Sequence, residues 1–167
     1  MKRFNELQTT KKGDIGESII KQMLEAKGYI IMQPTTNAPH PFDMVAVKNK
    51  SEFLLVEVKT KARMQRRKET GINQANFKYY YEACQKHNFR LFLVFVDEHP
   101  AEKRIYGNYL DVLEEQVIIN GVKYPYVEKL KGGYVRFYPL SKMITLSNLT
   151  PGQVQILREN TKRNYNY

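Results

Sequence analysis

The sequence is poor in cysteine and acidic residues, and it has no long apolar segment. Cys84 is the only cysteine among 167 residues, so no internal disulfide and no cysteine-based metal site can form. A single thiol is typical of a reducing compartment, and we expect a cytoplasmic protein. No segment approaches the ~20 consecutive apolar residues of a membrane span. Residues 1–6 also lack the apolar stretch of a signal peptide, so we expect no membrane partner.

The shortage of acids leaves the chain strongly basic. Lysine and arginine number 27 against 17 aspartate and glutamate, which gives a formal net charge of +10 at pH 7. This excess favours a polyanionic partner, with nucleic acid ahead of a membrane surface, because the basic residues concentrate after one predicted strand. The alternative is a basic surface that only maintains solubility. The length and the 42% hydrophobic content predict one globular domain.

Two short apolar segments carry acids at neighbouring ends. Residues 53–58 have the composition of a buried strand, and side-chain alternation places Glu57 and Lys59 on the same face. Residues 41–47 form a second apolar run with Asp43 close to its start, and a turn-like cluster at residues 49–51 separates the two runs. We expect an antiparallel hairpin that brings Asp43 beside Glu57. Charges at the end of a core strand need a metal ion, a phosphate or an ion pair to offset their desolvation.

A helix is predicted before these strands. Apolar residues recur at helical spacing after Asp14, which we expect to be the N-cap, and Gly28 closes the helix. Residues 1–12 are expected to form a loose arm. Glu17 would then lie in the first turn, where the helix dipole favours an acid. The alternative is that Glu17 reaches the site and binds a metal ion or water.

A basic run follows the second strand and contains no acid. Its members are Lys59, Lys61, Arg63, Arg66, Arg67 and Lys68. Such a run repels itself and predicts a solvated loop that does not pack. The functional interpretation is a flap that binds phosphates. The two interpretations are compatible if the loop is disordered alone and becomes ordered on nucleic acid.

The next segments predict a helix and a buried strand. Residues 74–87 have a helical pattern, and Gln74 at its start could approach the site. An aromatic stripe on this helix is assigned to the core. Its members are Phe77, Tyr80, Tyr81 and, with them, Cys84. Residues 91–96 are continuously apolar and predict a strand that a crossover joins to the strand of Glu57.

The sequence beyond residue 97 contains three recognisable elements. Asn120-Gly121 predicts the turn of a hairpin over residues 117–124. Residues 134–138 alternate as a strand does. Thr150 followed by Pro151 predicts the start of a last helix, in which Val154, Ile156 and Leu157 would make the apolar contacts.

Together these residues resemble the PD-(D/E)XK nuclease superfamily. Asp43 is followed by thirteen residues and then by Glu57-Val58-Lys59. Phe42 separates Pro41 from Asp43, so the Pro-Asp dipeptide of the pattern is absent. Lys12-Gly13 and Glu17 are similar to the Lys-Gly-x-x-x-Glu opening of archaeal-type Holliday junction resolvases. The resemblance covers residues 12 to about 97.

The resemblance implies an α/β fold with a restriction-endonuclease-like core. Its elements follow the order α-β-β-β-α-β, with a mixed sheet flanked by helices. Residues 1–167 would form one domain, with the core at about residues 12–97 and a C-terminal extension of a β-hairpin and a helix at about residues 98–167.

The implied activity is metal-dependent hydrolysis of DNA phosphodiester bonds. Branched, Holliday-junction-like DNA is one substrate option, in recombination, repair, phage or restriction biology. Asp43, Glu57 and the Val58 carbonyl would bind Mg²⁺, for which Mn²⁺ would substitute. Lys59 would orient or deprotonate the attacking water, and Glu17 would act through water or hold a second ion.

The resemblance also indicates which residues meet DNA and how the chain assembles. The implied nucleic-acid contacts are Lys12, Lys61, Arg63, Arg66, Arg67, Lys68 and Gln74. Members of the superfamily often form homodimers to cut two strands. Two alternatives remain open: a catalytically silent nucleic-acid-binding module, and an assembly factor for an acidic protein. The presence of every acid needed for metal binding favours the nuclease.

Overall fold

The computed structural model describes residues 8–35 and 40–161 of the chain. The helices and strands are, in chain order, α1 (Gln8–Ala26), β1 (Ile30–Met32), β2 (Met44–Val47), β3 (Phe53–Thr60), β4 (Glu69–Asn73), α2 (Gln74–His87), β5 (Leu91–Asp97), β6 (Arg104–Tyr109), α3 (Leu110–Glu114), β7 (Val117–Ile119), β8 (Val122–Tyr124), β9 (Tyr126–Leu130), β10 (Gly133–Pro139), β11 (Ile144–Asn148) and α4 (Pro151–Glu159). None of the helices in these described ranges is both long and apolar enough to span a bilayer.

A six-stranded mixed sheet forms the centre of the fold. Its strand order is β1-β2-β3-β5-β6-β11, in which only the β3–β5 pair is parallel. Apolar residues of α1 and α4 pack on one face of this sheet. On the other face lie α2, α3 and part of a three-stranded sheet of order β4-β10-β9. The predicted α/β class, with a central mixed sheet flanked by helices, is confirmed.

Helix α1 is longer than predicted. It begins at Gln8, so Asp14 is an interior residue and not the N-cap, and residues 8–12 are helical. Residues 1–7 of the expected loose arm lie outside the described residues. Glu17 therefore sits about two and a half turns from the start of the helix. The helix-dipole explanation for Glu17 does not apply, because that effect is confined to the first turn.

The predicted β2–β3 hairpin is confirmed. The two strands are antiparallel with Met44 opposite Val56, and the Asp43 N–H donates to the Val56 carbonyl at 2.8 Å. Met44, Val56 and Val58 belong to the cluster that packs against α1. Because side chains alternate along a strand, Asp43, Glu57 and Lys59 occupy the opposite face, on the side of α2.

Helix α2 and strand β5 complete the predicted crossover. The Asn73 side chain accepts from the Ala75 N–H at 2.8 Å and caps the start of α2, while Asn88 ends it in the left-handed conformation at φ 51°. All seven residues of β5 are buried, and Lys59 lies in register with Phe95. The ends of β3 and β5 are therefore adjacent, and this end of the sheet carries the charged residues.

The C-terminal part contributes more to the sheet than the sequence predicts. The hairpin, the strand at residues 134–138 and the last helix are present, with Asn120 at φ 49° and a capping box between Thr150 and Gln153. The prediction that Ile156 makes an apolar contact in the core is wrong, since this residue is 48% exposed. The extension is not limited to a hairpin and a helix, because β6 and β11 complete the central sheet and β10 pairs with β4. Sequence analysis missed β4, β6, α3, β9 and β11.

Candidate active site

Asp43 and Glu57 lie side by side where β2 begins and β3 nears its end. Asp43 directly precedes β2 and continues its antiparallel register, which places it opposite Glu57. The Val58 N–H donates to Asp43 Oδ2 at 2.7 Å, so the main chain of β3 fixes this carboxylate. Glu57 itself is only 4% exposed. The hairpin thus holds two carboxylates in one place, as the alternation of side chains predicts.

Two donors from different elements reach the same oxygen of Glu57. Glu57 Oε1 accepts hydrogen bonds from the Lys59 ammonium and from the Tyr80 hydroxyl. The Lys59 Nζ also lies 5.4 Å from the centre of the Tyr80 ring, close enough for a cation–π contact. Glu57 and Lys59 therefore form an ion pair, one of the options for charges at the end of a core strand, and this pair is largely buried, because the Lys59 side chain is 23% exposed and the Glu57 side chain 6%.

Burial and neighbouring carboxylates together raise the pKa values of two acids in the site. Burial raises the pKa of Glu57 to about 7, and the nearby Asp43 charge adds to this rise against the opposing effect of Lys59. Burial also raises the pKa of Glu17 to about 7, with further increases from the charges of Asp43, Asp14 and Glu57. Burial lowers the pKa of Lys59, but the Glu57 carboxylate outweighs it and the net direction is upward. Lys59 is therefore a cation at neutral pH.

Glu17 belongs to this group because α1 approaches β3 unusually closely. A Cβ atom at Gly16 would stand 1.7 Å from Thr60 Oγ1 and 2.8 Å from Thr60 Cβ, distances that no side chain can occupy. Glycine at position 16 therefore lets the helix rest directly on the end of β3. The next residue, Glu17, is carried to the two acids of the hairpin.

We expect Gly16→Ala to lower the free energy of unfolding by about 1–3 kcal/mol, because the added methyl must separate α1 from β3. Gly13→Ala is the matched control in the same helix, since a Cβ there meets nothing within 4 Å. That control should gain up to about 1 kcal/mol from helix propensity. Urea denaturation of both variants measures the difference, and equal stabilities would contradict the close contact.

The donor atoms of the site suit a hard divalent cation. No hydrogen bond from the described part of the chain reaches Asp43 Oδ1 or Glu57 Oε2. The Val56 carbonyl is directed towards Asp43, and the Val58 carbonyl, two residues along the strand, points to the same side. Carboxylate and carbonyl oxygens are the ligands that Mg²⁺ and Mn²⁺ prefer. Within residues 8–35 and 40–161, however, no three histidine, cysteine, aspartate or glutamate side chains already surround one point as a finished metal site.

Several predicted nucleic-acid contacts are used inside the protein. Lys12 is 9% exposed and forms an ion pair with the fully buried Glu98. Arg63 is equally buried and donates to Glu102 Oε1 at 2.8 Å. The Lys61 Nζ donates to the Gly71 carbonyl at 2.6 Å. The expectation that the basic run does not pack is wrong for Lys61 and Arg63, and the charges of Lys12 and Arg63 are paired with carboxylates inside the protein.

The remaining predicted contacts have different surroundings. Arg66, Arg67 and Lys68 are exposed, as expected for residues that meet a polyanion. Gln74 begins α2, and its Oε1 is buried without a hydrogen-bond partner among the described residues. A role for these four residues in binding nucleic acid stays a prediction.

Tyr80 is the site residue that sequence analysis missed. Tyr80 was assigned to the core because it belongs to an aromatic stripe, and it is indeed buried, with 5% exposure. A buried tyrosine hydroxyl requires a polar partner, and this one donates to Glu57. Burial raises the pKa of Tyr80, with a further rise from the Glu57 charge, so its hydroxyl keeps the proton. The signal in the sequence was a phenol on the buried side of the helix that follows the candidate strand.

Comparisons with known proteins find a distant likeness among solved structures. No protein-family model and no curated protein matches the chain. Among solved structures, it is similar to Archaeoglobus fulgidus Hjc, a Holliday junction resolvase from an archaeal hyperthermophile. The identity is 15%, the TM-score is 0.46, and the likeness covers 62% of this chain and 81% of that one. What the chain does has to be inferred from its own residues.

Proposed function

We propose that the chain is a metal-dependent endonuclease that hydrolyses phosphodiester bonds in DNA. The observation that carries this proposal is the convergence of Asp43, Glu57 and Lys59 on one face of the sheet, with Glu17 beside them. Two carboxylates, a third acid and an ammonium group match the needs of phosphodiester hydrolysis. The net charge of +10 agrees with a polyanionic substrate.

Each residue has a distinct role in the proposed reaction. Asp43 and Glu57, with the Val58 carbonyl, would hold Mg²⁺ or Mn²⁺, which neutralises phosphate charge and makes bound water more acidic. Lys59, kept as an ammonium by Glu57, would stabilise charge on a non-bridging phosphate oxygen. This role replaces proton abstraction by Lys59. Glu17 would orient the attacking water from the side of α1.

The test is a cleavage assay on labelled Holliday junctions, flaps, duplexes and single strands. We expect products with Mg²⁺ or Mn²⁺ and none with EDTA. A preference for junctions would support the branched-DNA option within this proposal. Absence of product on every substrate with both metals would reject the endonuclease.

The alternative proposal is a nucleic-acid-binding module without turnover. Two observations favour it: the described residues contain no finished group of three metal-binding side chains, and Lys59 and Tyr80 both donate to Glu57 Oε1. This module would bind DNA with strong salt dependence and release no cut product. The same substrate panel, followed by gel shift, separates the two proposals.

We expect Tyr80→Phe to slow cleavage about fivefold, since Glu57 loses one hydrogen bond worth about 1 kcal/mol net. Tyr80 is a positioning residue here, so the rate at saturating DNA should fall while the Michaelis constant for DNA stays unchanged. Tyr81→Phe is the matched control, because Tyr81 is the next residue and is 45% exposed. Equal rates for the two variants, measured after thermal melting confirms folding, would contradict the role of the hydroxyl.

A homodimer is part of the proposal. One site cuts one strand at a time, so coordinated cleavage of two strands is most simply achieved by two copies. Sedimentation of the chain with and without DNA tests this point, and a monomer in both conditions would reject it.

A further inference from the structure

A basic cleft lies apart from the acids of the candidate site. It has a volume of about 660 Å³ and lies between the loop at residues 65–68 and the β7–β8 hairpin. Four cationic side chains line it: Arg66, Arg67, Lys68 and Arg104. None of the described residues that line it is acidic. The cleft therefore concentrates positive charge that the sequence distributes over two distant segments.

The acids near this cleft already have partners. Glu102 forms ion pairs with Arg63 at 2.8 Å and with Arg104 at 2.6 Å. Glu69 accepts from the hydroxyls of Tyr124 at 2.6 Å and Tyr126 at 2.9 Å. In the part of the chain that the structure describes, no ion pair involves the cations of the loop at residues 65–68. Their charge remains available to a ligand.

The loop that carries these cations is fixed from the inside. The Arg63 guanidinium donates to the Met64 carbonyl at 2.6 Å and more weakly to the Arg67 carbonyl at 3.3 Å. The Lys68 carbonyl accepts from the Leu140 N–H at 2.9 Å. The main chain is thus anchored on both sides. The side chains of Arg66, Arg67 and Lys68 are exposed, and the Arg67 guanidinium also donates to the Tyr126 hydroxyl at 2.9 Å.

The cleft opens at the same end of the central sheet as the acids. Lys59 is in register with Phe95, which is in register with Tyr106, and Arg104 lies two residues beyond Tyr106 on the same face. Two strand spacings separate β3 from β6, a lateral distance of about 10 Å. A nucleic-acid strand that leaves the acids therefore has a positively charged path along this end of the sheet.

We propose that this cleft binds the phosphate backbone of nucleic acid, with the β7–β8 hairpin as one wall. The choice of DNA as the polyanion rests on the proposed function. Asn120 and Gly121, at the tip of the hairpin, adopt positive φ values of 49° and 78°, which gives the tight turn that the wall requires. The segment beyond residue 97 thereby acquires a role in holding substrate.

The first experiment compares two triple variants that each remove three positive charges. The cleft variant, Arg66→Ala/Arg67→Ala/Lys68→Ala, removes the three cationic side chains that the loop contributes to the cleft. Lys27→Ala/Lys50→Ala/Lys86→Ala is the matched control, since these lysines are exposed near the end of the sheet where β3 and β5 begin. Binding to labelled duplex DNA is measured in EDTA between about 50 and 200 mM salt.

We expect the cleft variant to bind duplex DNA at least tenfold more weakly at ~100 mM salt. Its plot of log binding constant against log salt should become shallower by about 2–3 units, at roughly 0.9 per lost phosphate contact. The control should keep most of the affinity and slope. Equal losses in both variants, or no DNA binding by the unmodified chain, would overturn the inference.

The second experiment tests the hairpin wall without touching any cation. Asn120→Asp places one negative charge at the tip of the hairpin, and Asn88→Asp places the same charge at the opposite end of the sheet. Both asparagines are exposed, and their φ values of 49° and 51° tolerate aspartate equally. Asn120→Asp should weaken DNA binding severalfold and Asn88→Asp should not. Equal affinities for the two variants would remove the hairpin from the binding surface.

The outcomes separate this inference from the proposed function. Metal-dependent cleavage with unchanged binding by the cleft variants would overturn the cleft and keep the endonuclease. The expected binding differences without any cleavage would keep the cleft and reject the endonuclease. Thermal melting of each variant excludes unfolding as the cause of lost binding.

Discussion

Replacing Glu57 with glutamine, or Asp43 with asparagine, is expected to reduce Mg²⁺-dependent DNA cleavage at least a hundredfold. A cation held by these carboxylates supplies several kcal/mol of charge stabilisation, and each ~1.4 kcal/mol is tenfold in rate. The amide introduced by Asp43→Asn would keep an oxygen that can accept from the Val58 N–H, so the hairpin should remain intact. The measurement is the single-turnover cleavage rate on the best substrate of the panel.

DNA binding in EDTA should change little in these two variants, because they remove negative charge and no contact to phosphate. Glu82→Gln serves as the matched control, since Glu82 is an exposed acid on α2 and its variant should cleave at the unmodified rate. Cleavage by both site variants at the unmodified rate would show that the reaction occurs at another site.

The second large effect concerns stability. Lys12→Met is expected to lower the free energy of unfolding by about 3–5 kcal/mol, because Glu98 is fully buried and would lose its cationic partner. Lys11→Met is the matched control on the same helix, where the exposed side chain should change stability by no more than about 0.5 kcal/mol. Urea denaturation measures both variants.

This experiment also decides between two roles for Lys12. The resemblance to resolvases implies a contact with DNA, whereas the ion pair with Glu98 implies a structural role. A stable Lys12→Met variant with weakened DNA binding would restore the first role. The double variant Lys12→Met/Glu98→Gln should recover part of the lost stability, because it removes the buried charge that the single variant leaves behind.

Local patterns account for the parts of the fold that could be predicted. The strands of the β2–β3 hairpin and β5 have apolar runs in the sequence and α2 has a helical pattern, and the structure contains all three elements. Strand β6 was missed because Gly107 interrupts its pattern. That glycine is required, since a Cβ there would lie 2.4 Å from the Leu93 carbonyl oxygen. Strand β11 pairs only with β6, so its place in the sheet depended on an element that was itself unrecognised.

The candidate site was predictable to the extent that it depends on two adjacent strands. Pairing and alternation bring Asp43, Glu57 and Lys59 together without knowledge of the rest of the fold. The ion pairs that basic residues form inside the protein could not be predicted in this way. Lys12 and Arg63 find their carboxylates 86 and 39 residues away, and no local pattern reports such a partner.

The carboxylate of Glu102 joins two parts of the molecule that both face the basic cleft. One oxygen holds Arg63, which braces the loop, and the other holds Arg104 on β6. The spacing between the two cationic groups is therefore set before any polyanion arrives. Association requires little ordering of the main chain, so most of the electrostatic attraction remains as net affinity. A bound phosphate backbone would therefore meet cationic groups whose spacing is already fixed.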